Sequence, residues 1–505
     1  MSEGPISPEL RRATLSGARW TASSRVLAEG VAFAASVALA RLVAPNEFGH
    51  AAVALIVVAL SAVFGTAGLS APLVQRREAS DQLVAAVTLL ALVSASILTA
   101  ATVVASELVL GRLFDDRTAN LVLLASPAWI FAAIGSPSQA LLQRRLRFGT
   151  LALIEVTSIV CSATLAVGLA IRGFDAEAVV AGGLGLVGFM GVLSFAVSPA
   201  RRLRTDRGAV RDAVGFATPV ALSSLVFLGF RNVDYAILGA RATPAQLGYY
   251  WRAFQLGVGY QSKISRVMLR VSFPVYSRAK GIEELRAVRT RIVRGHASVL
   301  LPLLAVFIAT APVLVPWLFG PAWEPSVRPA QILAVAGMAD AVVTGVGPLM
   351  IALGRPGALL RFNLILFVWY AGMIYVLAPH GIEAVAIGVA AFGIASVFAA
   401  QAVLLLPAAG LSFRQLWYDT RAGLVLGAAV LLVATAIREA LTWLDVGDFL
   451  LLFVACSASG LVYLLLLRAF FAAEWADLRV VFTRVRRRDN PAGTNGAIAD
   501  DQLPT

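Results

Sequence analysis

Charged residues are scarce in this chain: Asp, Glu, Lys and Arg together make up 14% of its 505 residues. Soluble domains carry about 25% charged residues, so this scarcity argues against an ordinary soluble protein. Apolar residues reach 59%, and the mean hydropathy is +0.81. Apolar runs of about 20 residues, long enough to cross a hydrocarbon core, recur along the whole chain. The composition therefore predicts an all-α polytopic membrane protein.

Cysteine and histidine are also rare, with two and three residues respectively. Cys161 and Cys456 both lie in apolar runs, so neither a disulfide framework nor a thiolate metal site is expected. No glycine-rich phosphate-binding loop is present, and we expect no cofactor, no metal and no catalytic residue. The polar N-terminal segment lacks the apolar core of a signal peptide, so the first helix is expected to remain in the mature chain.

Fourteen transmembrane helices are predicted from the apolar runs. Their approximate bounds are 20–41, 50–71, 83–106, 119–142, 149–171, 177–198, 213–239, 246–270, 297–319, 327–353, 358–378, 382–407, 421–438 and 448–471. Cytoplasmic loops retain Lys and Arg, and with both termini inside about 30 of the 42 cations fall in cytoplasmic segments and about 7 in outer ones. The net charge of +13 is thus explained by topology, and no nucleic-acid partner is expected.

A short sequence recurs half-way along the chain. "ARLVAPNEFGH" at 40–50 and "ARATPAQLGYY" at 240–250 share Ala-Arg followed by Pro-x-x-x-Gly. Six predicted spans separate the copies, an even number, so both halves would have the same orientation in the membrane. The repeat predicts two six-helix lobes related by a parallel pseudo-twofold axis, with two extra C-terminal helices. The predicted domains are a cytoplasmic N-terminus (1–19), an N-lobe (20–198), a basic linker (199–212), a C-lobe (213–407), helices 13 and 14 (408–472) and a basic, then disordered, cytoplasmic tail (473–505).

Charged residues inside predicted spans are costly, and they mark candidate functional sites. They include the cations Arg25, Arg231, Arg252, Lys263 and Arg266 and the acids Glu29, Asp234 and Asp340. On a continuous α-helix, Arg252, Lys263 and Arg266 fall within an arc of about 100°. Lysine supplies a point charge and arginine a forked donor for phosphate, so this face predicts the wall of an anion-binding cavity. The three acids are candidates for coupling transport to an ion gradient.

Each of these assignments has a structural alternative. Arg266 lies near the inner end of its span, where its side chain can extend to the membrane surface. The charged pairs in the first and seventh spans have the spacing of intrahelical ion pairs, and Asp340 has the alternative of a neutral, hydrogen-bonded acid. Arg252 and Lys263 lie a few turns from the nearer membrane surface, so they are the preferred candidates for the cavity wall.

Three N-terminal segments resemble those of bacterial oligosaccharide flippases, the polysaccharide transporters of the multidrug/oligosaccharidyl-lipid/polysaccharide exporter superfamily. They are "LSGARWTASSRVLAEG", "LARLVAPNEFG" and "GLSAPLVQRR". The resemblance implies a central cavity, lined by helices 1, 2, 7 and 8, that opens alternately to either face. It also implies the substrate, an undecaprenyl-pyrophosphate-linked oligosaccharide moved from the inner to the outer leaflet of the bacterial plasma membrane. Pro72 departs from the family pattern.

The expected partners are this lipid-linked oligosaccharide, membrane lipid, and a polysaccharide polymerase and chain-length regulator of the same pathway. No enzymatic activity is expected. Two other functions stay open. A membrane-embedded polymerase or ligase usually has a catalytic domain or a long loop on one face, and the predicted outer loops are too short for either. A multidrug exporter of the same superfamily would share the fold, but the resemblance associates that group with twelve helices and acidic cavities.

Overall fold

The computed structural model describes residues 27–63, 70–75, 80–200, 205–266, 276, 279, 281–476 and 479. Every regular element within these residues is a helix. The helices are α1 (27–42), α2 (Pro45–Val63), α3 (Ala71–Gln75), α4 (Asp81–Leu113), α5 (Asp116–Arg144), α6 (Phe148–Ile171), α7 (Ala176–Val197), α8 (Arg207–Arg241), α9 (Pro244–Phe254, continuing to residue 266), α10 (Ile282–Phe319), α11 (Pro321–Ala352), α12 (Pro356–His380), α13 (Ile382–Ala409), α14 (Phe413–Trp443) and α15 (Asp448–Phe470).

The predicted all-α membrane fold is confirmed. Within the described residues, eleven helices are long and apolar enough to cross a membrane. They coincide with the predicted spans 2 to 6 and 9 to 14. Helices α1, α8 and α9 coincide with the remaining three predicted spans, and the full count of fourteen crossings stays a prediction.

Three helices begin well before the predicted spans: α8 at Arg207, α10 at Ile282 and α14 at Phe413. The side chains of Asp206 and Ser412 accept hydrogen bonds from backbone amides in the first turns of α8 and α14, which stabilises those helix starts. A helix does not have to end at the membrane surface. Part of each basic segment that was interpreted as a cytoplasmic loop is therefore an extension of the following helix.

The chain divides into two compact units. Unit 1 comprises Met1–Ala253, Val315–Ser326 and Phe367–Gly388, and unit 2 comprises Phe254–Leu314, Val327–Leu366 and Val389–Thr505. These bounds differ from those of the predicted lobes, which stay a prediction.

In unit 1 the two copies of the repeated motif pack directly on each other, where α2 crosses α9. A Cβ atom on Gly49 would lie 1.7 Å from the carbonyl oxygen of Pro244, and a Cβ on Gly248 would lie 1.9 Å from that of Pro45. Only glycine fits at either position. The contact is reciprocal, as expected where two copies of one motif meet about a local twofold axis.

Unit 2 has close helix contacts of the same kind. A Cβ on Gly337 would lie 2.3 Å from the carbonyl oxygen of Gly257, and one on Gly423 would lie 2.3 Å from that of Ala297. Membrane helices associate through small residues because lipid offers no hydrophobic drive for helix association. These contacts fix α9 against α11 and α14 against α10.

Candidate functional site

Arg252 lies in unit 1 and is almost fully buried, with 2% of its surface exposed. Its guanidinium carbon is 4.5 to 5.2 Å from the centroids of four aromatic rings, which we call the aromatic cage: Phe48, Trp251, Phe319 and Trp323. The Nη1 atom donates a hydrogen bond to Ser36 Oγ at 2.8 Å. Arginine is weakly hydrated and stacks on ring faces, so cation–π attraction offsets part of the cost of burying its charge.

Hydrogen bonds between helix ends of unit 1 hold one side of the aromatic cage, and we call this contact the Arg41–Trp323 junction. Arg41 donates to the carbonyl oxygens of Leu318 at 2.8 Å and Trp317 at 2.6 Å. In return, Trp323 Nε1 donates to the carbonyl oxygen of Ala40 at 2.7 Å. A cavity of about 500 Å³ lies beside the junction and is lined by residues 40–45, 316 and 319–322. The junction joins the last turn of α1 to the last turn of α10 and the first turn of α11.

Asp234 is also buried in unit 1, with 1% of its surface exposed, and tyrosines surround it. Its Oδ2 accepts hydrogen bonds from the hydroxyls of Tyr250 at 2.9 Å and Tyr370 at 3.5 Å. Its Oδ1 accepts one from the backbone amide of Tyr235 at 3.0 Å. The carboxyl group therefore joins α8, α9 and α12. Arg231, its predicted partner, lies in α8 with its side chain outside the described residues.

Lys263 and Arg266 belong to unit 2. Lys263 is half-buried, and its Nζ lies 5.2 Å from the centroid of the Tyr260 ring. Arg266 is exposed, as are Glu29 on α1 and Asp340 on α11. Arg25 lies outside the described residues.

The continuous cationic face predicted for this segment needs correction. A π-helical turn occupies Gln255–Gly259 in α9. Such a turn contains one residue more than an α-helical turn, so the residues after it are rotated by about 100° relative to those before it. Arg252 and Lys263 consequently do not share one face of an uninterrupted α-helix. The sequence shows Gln255, Gly257 and Gly259 in this turn, but the predicted face was derived with a constant rotation of about 100° per residue, which a π-helical turn does not have.

A buried ion pair in unit 2 was missed by the sequence interpretation. Arg289 Nη1 lies 2.5 Å from Asp419 Oδ2, and both side chains are 2% exposed. Arg289 Nη2 also donates to Gln401 Oε1 at 3.4 Å, so the pair joins α10, α13 and α14. The sequence places Arg289 four residues from both Leu285 and Val293, two buried apolar residues. That spacing was the available signal, because it puts the arginine on the apolar face of a helix.

The described residues contain no cluster of metal-binding side chains. No group of three or more His, Cys, Asp or Glu residues is close enough there to hold a metal ion. The charged groups that are buried instead contact aromatic rings, hydroxyls or an oppositely charged side chain. Such an arrangement can hold helices together.

The sequence pattern of a family described as polysaccharide biosynthesis protein matches residues 38–328. The chain is 24% identical over 417 residues to the lipopolysaccharide biosynthesis protein WzxC of Escherichia coli (strain K12), covering 80% of this chain and 84% of that protein. It is also 24% identical over 375 residues to the teichuronic acid biosynthesis protein TuaB of Bacillus subtilis (strain 168), covering 71% and 77% respectively.

Solved structures show a similar fold. The lipid II flippase MurJ, in an inward closed conformation, superposes with a TM-score of 0.69 at 12% identity, covering 93% of this chain and 99% of that one. An inward-facing multidrug resistance MATE family transporter of the MOP superfamily gives a TM-score of 0.59 at 14% identity, covering 73% and 92%. Both similarities concern the fold alone.

Proposed function

Because this chain belongs to the polysaccharide biosynthesis protein family, whose pattern matches more than half of its residues, we propose that it is a flippase. It would carry an oligosaccharide linked to a prenyl pyrophosphate from the inner to the outer leaflet of the bacterial plasma membrane. It would act by alternating access, as a transporter and not as an enzyme. The termini would face the cytoplasm, and two six-helix lobes would enclose the path.

The observation that carries this proposal is the combination of a polysaccharide biosynthesis family with the fold of a lipid flippase. A relative named for lipopolysaccharide biosynthesis covers most of the chain, and the flippase fold covers 93% of it. The multidrug transporter fold covers less of the chain, with a lower TM-score. A membrane protein that combines this family with this fold is best explained as the carrier of a lipid-linked precursor.

Lys263 is the first candidate for contact with the pyrophosphate. It is a half-buried cation on a helix of membrane-spanning length, and lysine binds phosphate as a point charge. Arg266, three residues further along, is the second candidate, and Arg25 and Arg231 are further ones. Arg252 would meet the substrate only in a conformation in which the aromatic cage has opened.

Coupling to an ion gradient is assigned to the exposed carboxylates Glu29 and Asp340. Asp234 is a weaker candidate, because its oxygens already accept hydrogen bonds from two tyrosines and a backbone amide. A polysaccharide polymerase and a chain-length regulator remain the expected protein partners.

The test is the amount and sidedness of lipid-linked oligosaccharide in a strain that lacks the gene. We expect the lipid-linked glycan to accumulate where glycosidase added to spheroplasts cannot reach it, together with loss of the exported polymer. A glycan that is reachable from outside but not polymerised would indicate a polymerase or ligase instead. Unchanged lipid-linked glycan with altered drug sensitivity would indicate a multidrug exporter.

A further inference from the structure

The first turns of α14 expose a stripe of basic and aromatic residues, which we call the α14 stripe. Its members are Phe413, Arg414, Trp417, Tyr418 and Arg421. Their spacing of three and four residues places them on one face of the helix. Trp417 is 57% exposed although its side chain is large and apolar. Exposed Trp and Tyr beside Arg are typical of the boundary between a membrane and water.

Both arginines of the stripe lie against the same ring. The guanidinium carbon of Arg414 is 5.6 Å from the centroid of the Tyr418 ring, and that of Arg421 is 4.8 Å from it. Side chains on a helix tilt toward its N-terminus, so Arg421 reaches back toward Arg414. Two like charges held beside one ring repel each other, and an anion bound between them would remove that repulsion.

The stripe itself contains no acid that could take this place. The only carboxylate in the first turns of α14 belongs to Asp419. This side chain is 2% exposed, on the buried face of the helix, where Arg289 binds it at 2.5 Å. No acid of α14 is therefore placed to pair with the two arginines, and both are exposed to an anion from outside the helix.

From Leu424 to Leu432, the exposed residues of α14 are all apolar. Leu424, Val425 and Leu432 are 44%, 50% and 71% exposed. At 1.5 Å per residue, the distance from Arg421 to Leu432 is about 16 Å, roughly half the thickness of a hydrocarbon core. A lipid whose phosphate lies at Tyr418 could therefore place its acyl chains along this apolar surface.

We propose that Arg414 and Arg421, supported by Trp417 and Tyr418, form a binding site for the phosphate of an anionic phospholipid. The site lies on α14, outside the four helices that the family resemblance implies for the cavity, and the proposal does not depend on the proposed function. The two guanidinium groups donate to the phosphate oxygens, and the Tyr418 ring holds both groups in place. The charge distribution of the sequence assigns this end of α14 to the cytoplasmic leaflet.

The test is a lipid titration of the purified full-length chain in detergent, followed by native mass spectrometry. Phosphatidylglycerol is the anionic probe and phosphatidylcholine the zwitterionic one. We expect Arg414→Gln/Arg421→Gln to weaken phosphatidylglycerol binding by about 10- to 30-fold, because each surface arginine contributes about fivefold. The matched control is Arg355→Gln/Arg361→Gln, which removes the same charge from exposed positions on the same predicted face. It should change binding by less than about threefold.

A second pair of variants separates the ring from the charges. Tyr418→Phe keeps the aromatic face and should bind like the parent, whereas Tyr418→Leu should bind about threefold more weakly. Equal loss in both double variants would show nonspecific attraction and overturn the proposal. Binding of undecaprenyl phosphate in place of phosphatidylglycerol, or full competition by inorganic phosphate, would also overturn it, because the ligand would then not be a phospholipid.

Discussion

At the scale of single residues, burial separates two cations that look equivalent in the sequence. Arg252 is enclosed by the aromatic cage, whereas Lys263 is only half-buried. We expect Arg252→Gln to lower the amount of folded protein in the membrane, because the four rings lose the cation around which they pack. Lys263→Gln should leave that amount within about twofold and should lower polymer export. Immunoblots of membranes and export assays on the same cells measure both.

Arg252→Lys is the informative control, since it keeps the charge and loses the planar guanidinium. It should give an intermediate amount of protein. Normal abundance of Arg252→Gln together with complete loss of export would contradict a role in packing and would make Arg252 a substrate ligand.

The buried ion pair of unit 2 gives a second prediction at this scale. Asp419→Asn leaves Arg289 buried without a counter-ion, and breaking such a pair costs about 3–5 kcal/mol. The melting temperature of the purified protein in detergent should therefore fall clearly. Arg289→Met/Asp419→Leu should recover much of the loss, because an apolar pair carries no desolvation cost. Glu439→Gln is the control: its exposed carboxylate pairs with the half-buried Arg438 on the same helix, and its loss should have little effect. If Asp419→Asn has the same melting temperature as the control variant, the buried ion pair does not stabilise the protein.

At the scale of helices, the reciprocal crossing of α2 and α9 leaves no space for a side chain. Gly49→Ala would place its Cβ 1.7 Å from the carbonyl oxygen of Pro244, so the two helices would have to separate. We expect Gly49→Ala and Gly248→Ala each to reduce the melting temperature and the amount of folded protein. Gly372→Ala in α12 is the matched control, because no atom lies within 4 Å of its added Cβ. It should be neutral or slightly stabilising, by up to about 1 kcal/mol. Similar behaviour of all three variants would contradict the tight crossing.

Helices are also the scale at which the sequence was most informative. Apolar runs and flanking charges located the helices, because lipid requires every spanning segment to satisfy its own backbone. The repeated Pro-x-x-x-Gly motif indicated an internal symmetry, but not that Gly49 and Gly248 would contact each other's helix. The π-helical turn at Gln255–Gly259 was not predicted, because the sequence pattern was interpreted with 3.6 residues per turn along the whole helix. The burial of Arg252 and Arg289 depends on residues far away in the chain, such as Trp323 and Asp419, which no local pattern connects.

At the scale of the whole molecule, alternating access requires contacts that break when the protein opens on the predicted outer side. The Arg41–Trp323 junction is the strongest candidate in unit 1, because its three hydrogen bonds close the end of the aromatic cage. Removing them should favour the open conformation. Ser36, whose hydroxyl accepts from Arg252, would then become accessible from outside.

The measurement is the labelling rate of Ser36→Cys in whole cells by a membrane-impermeant maleimide, after Cys161 and Cys456 have been replaced by alanine. Arg41→Ala should raise this rate about fivefold, which corresponds to a net loss of about 1 kcal/mol of hydrogen bonding. Trp323→Phe should raise it too, since phenylalanine keeps a ring beside Arg252 but lacks the donor to Ala40. Arg172→Ala, at an exposed position in another predicted outer loop, is the control and should leave the rate unchanged. If Arg41→Ala and Trp323→Phe both label at the parental rate, the junction does not hold the protein closed, and the opening must occur elsewhere in the chain.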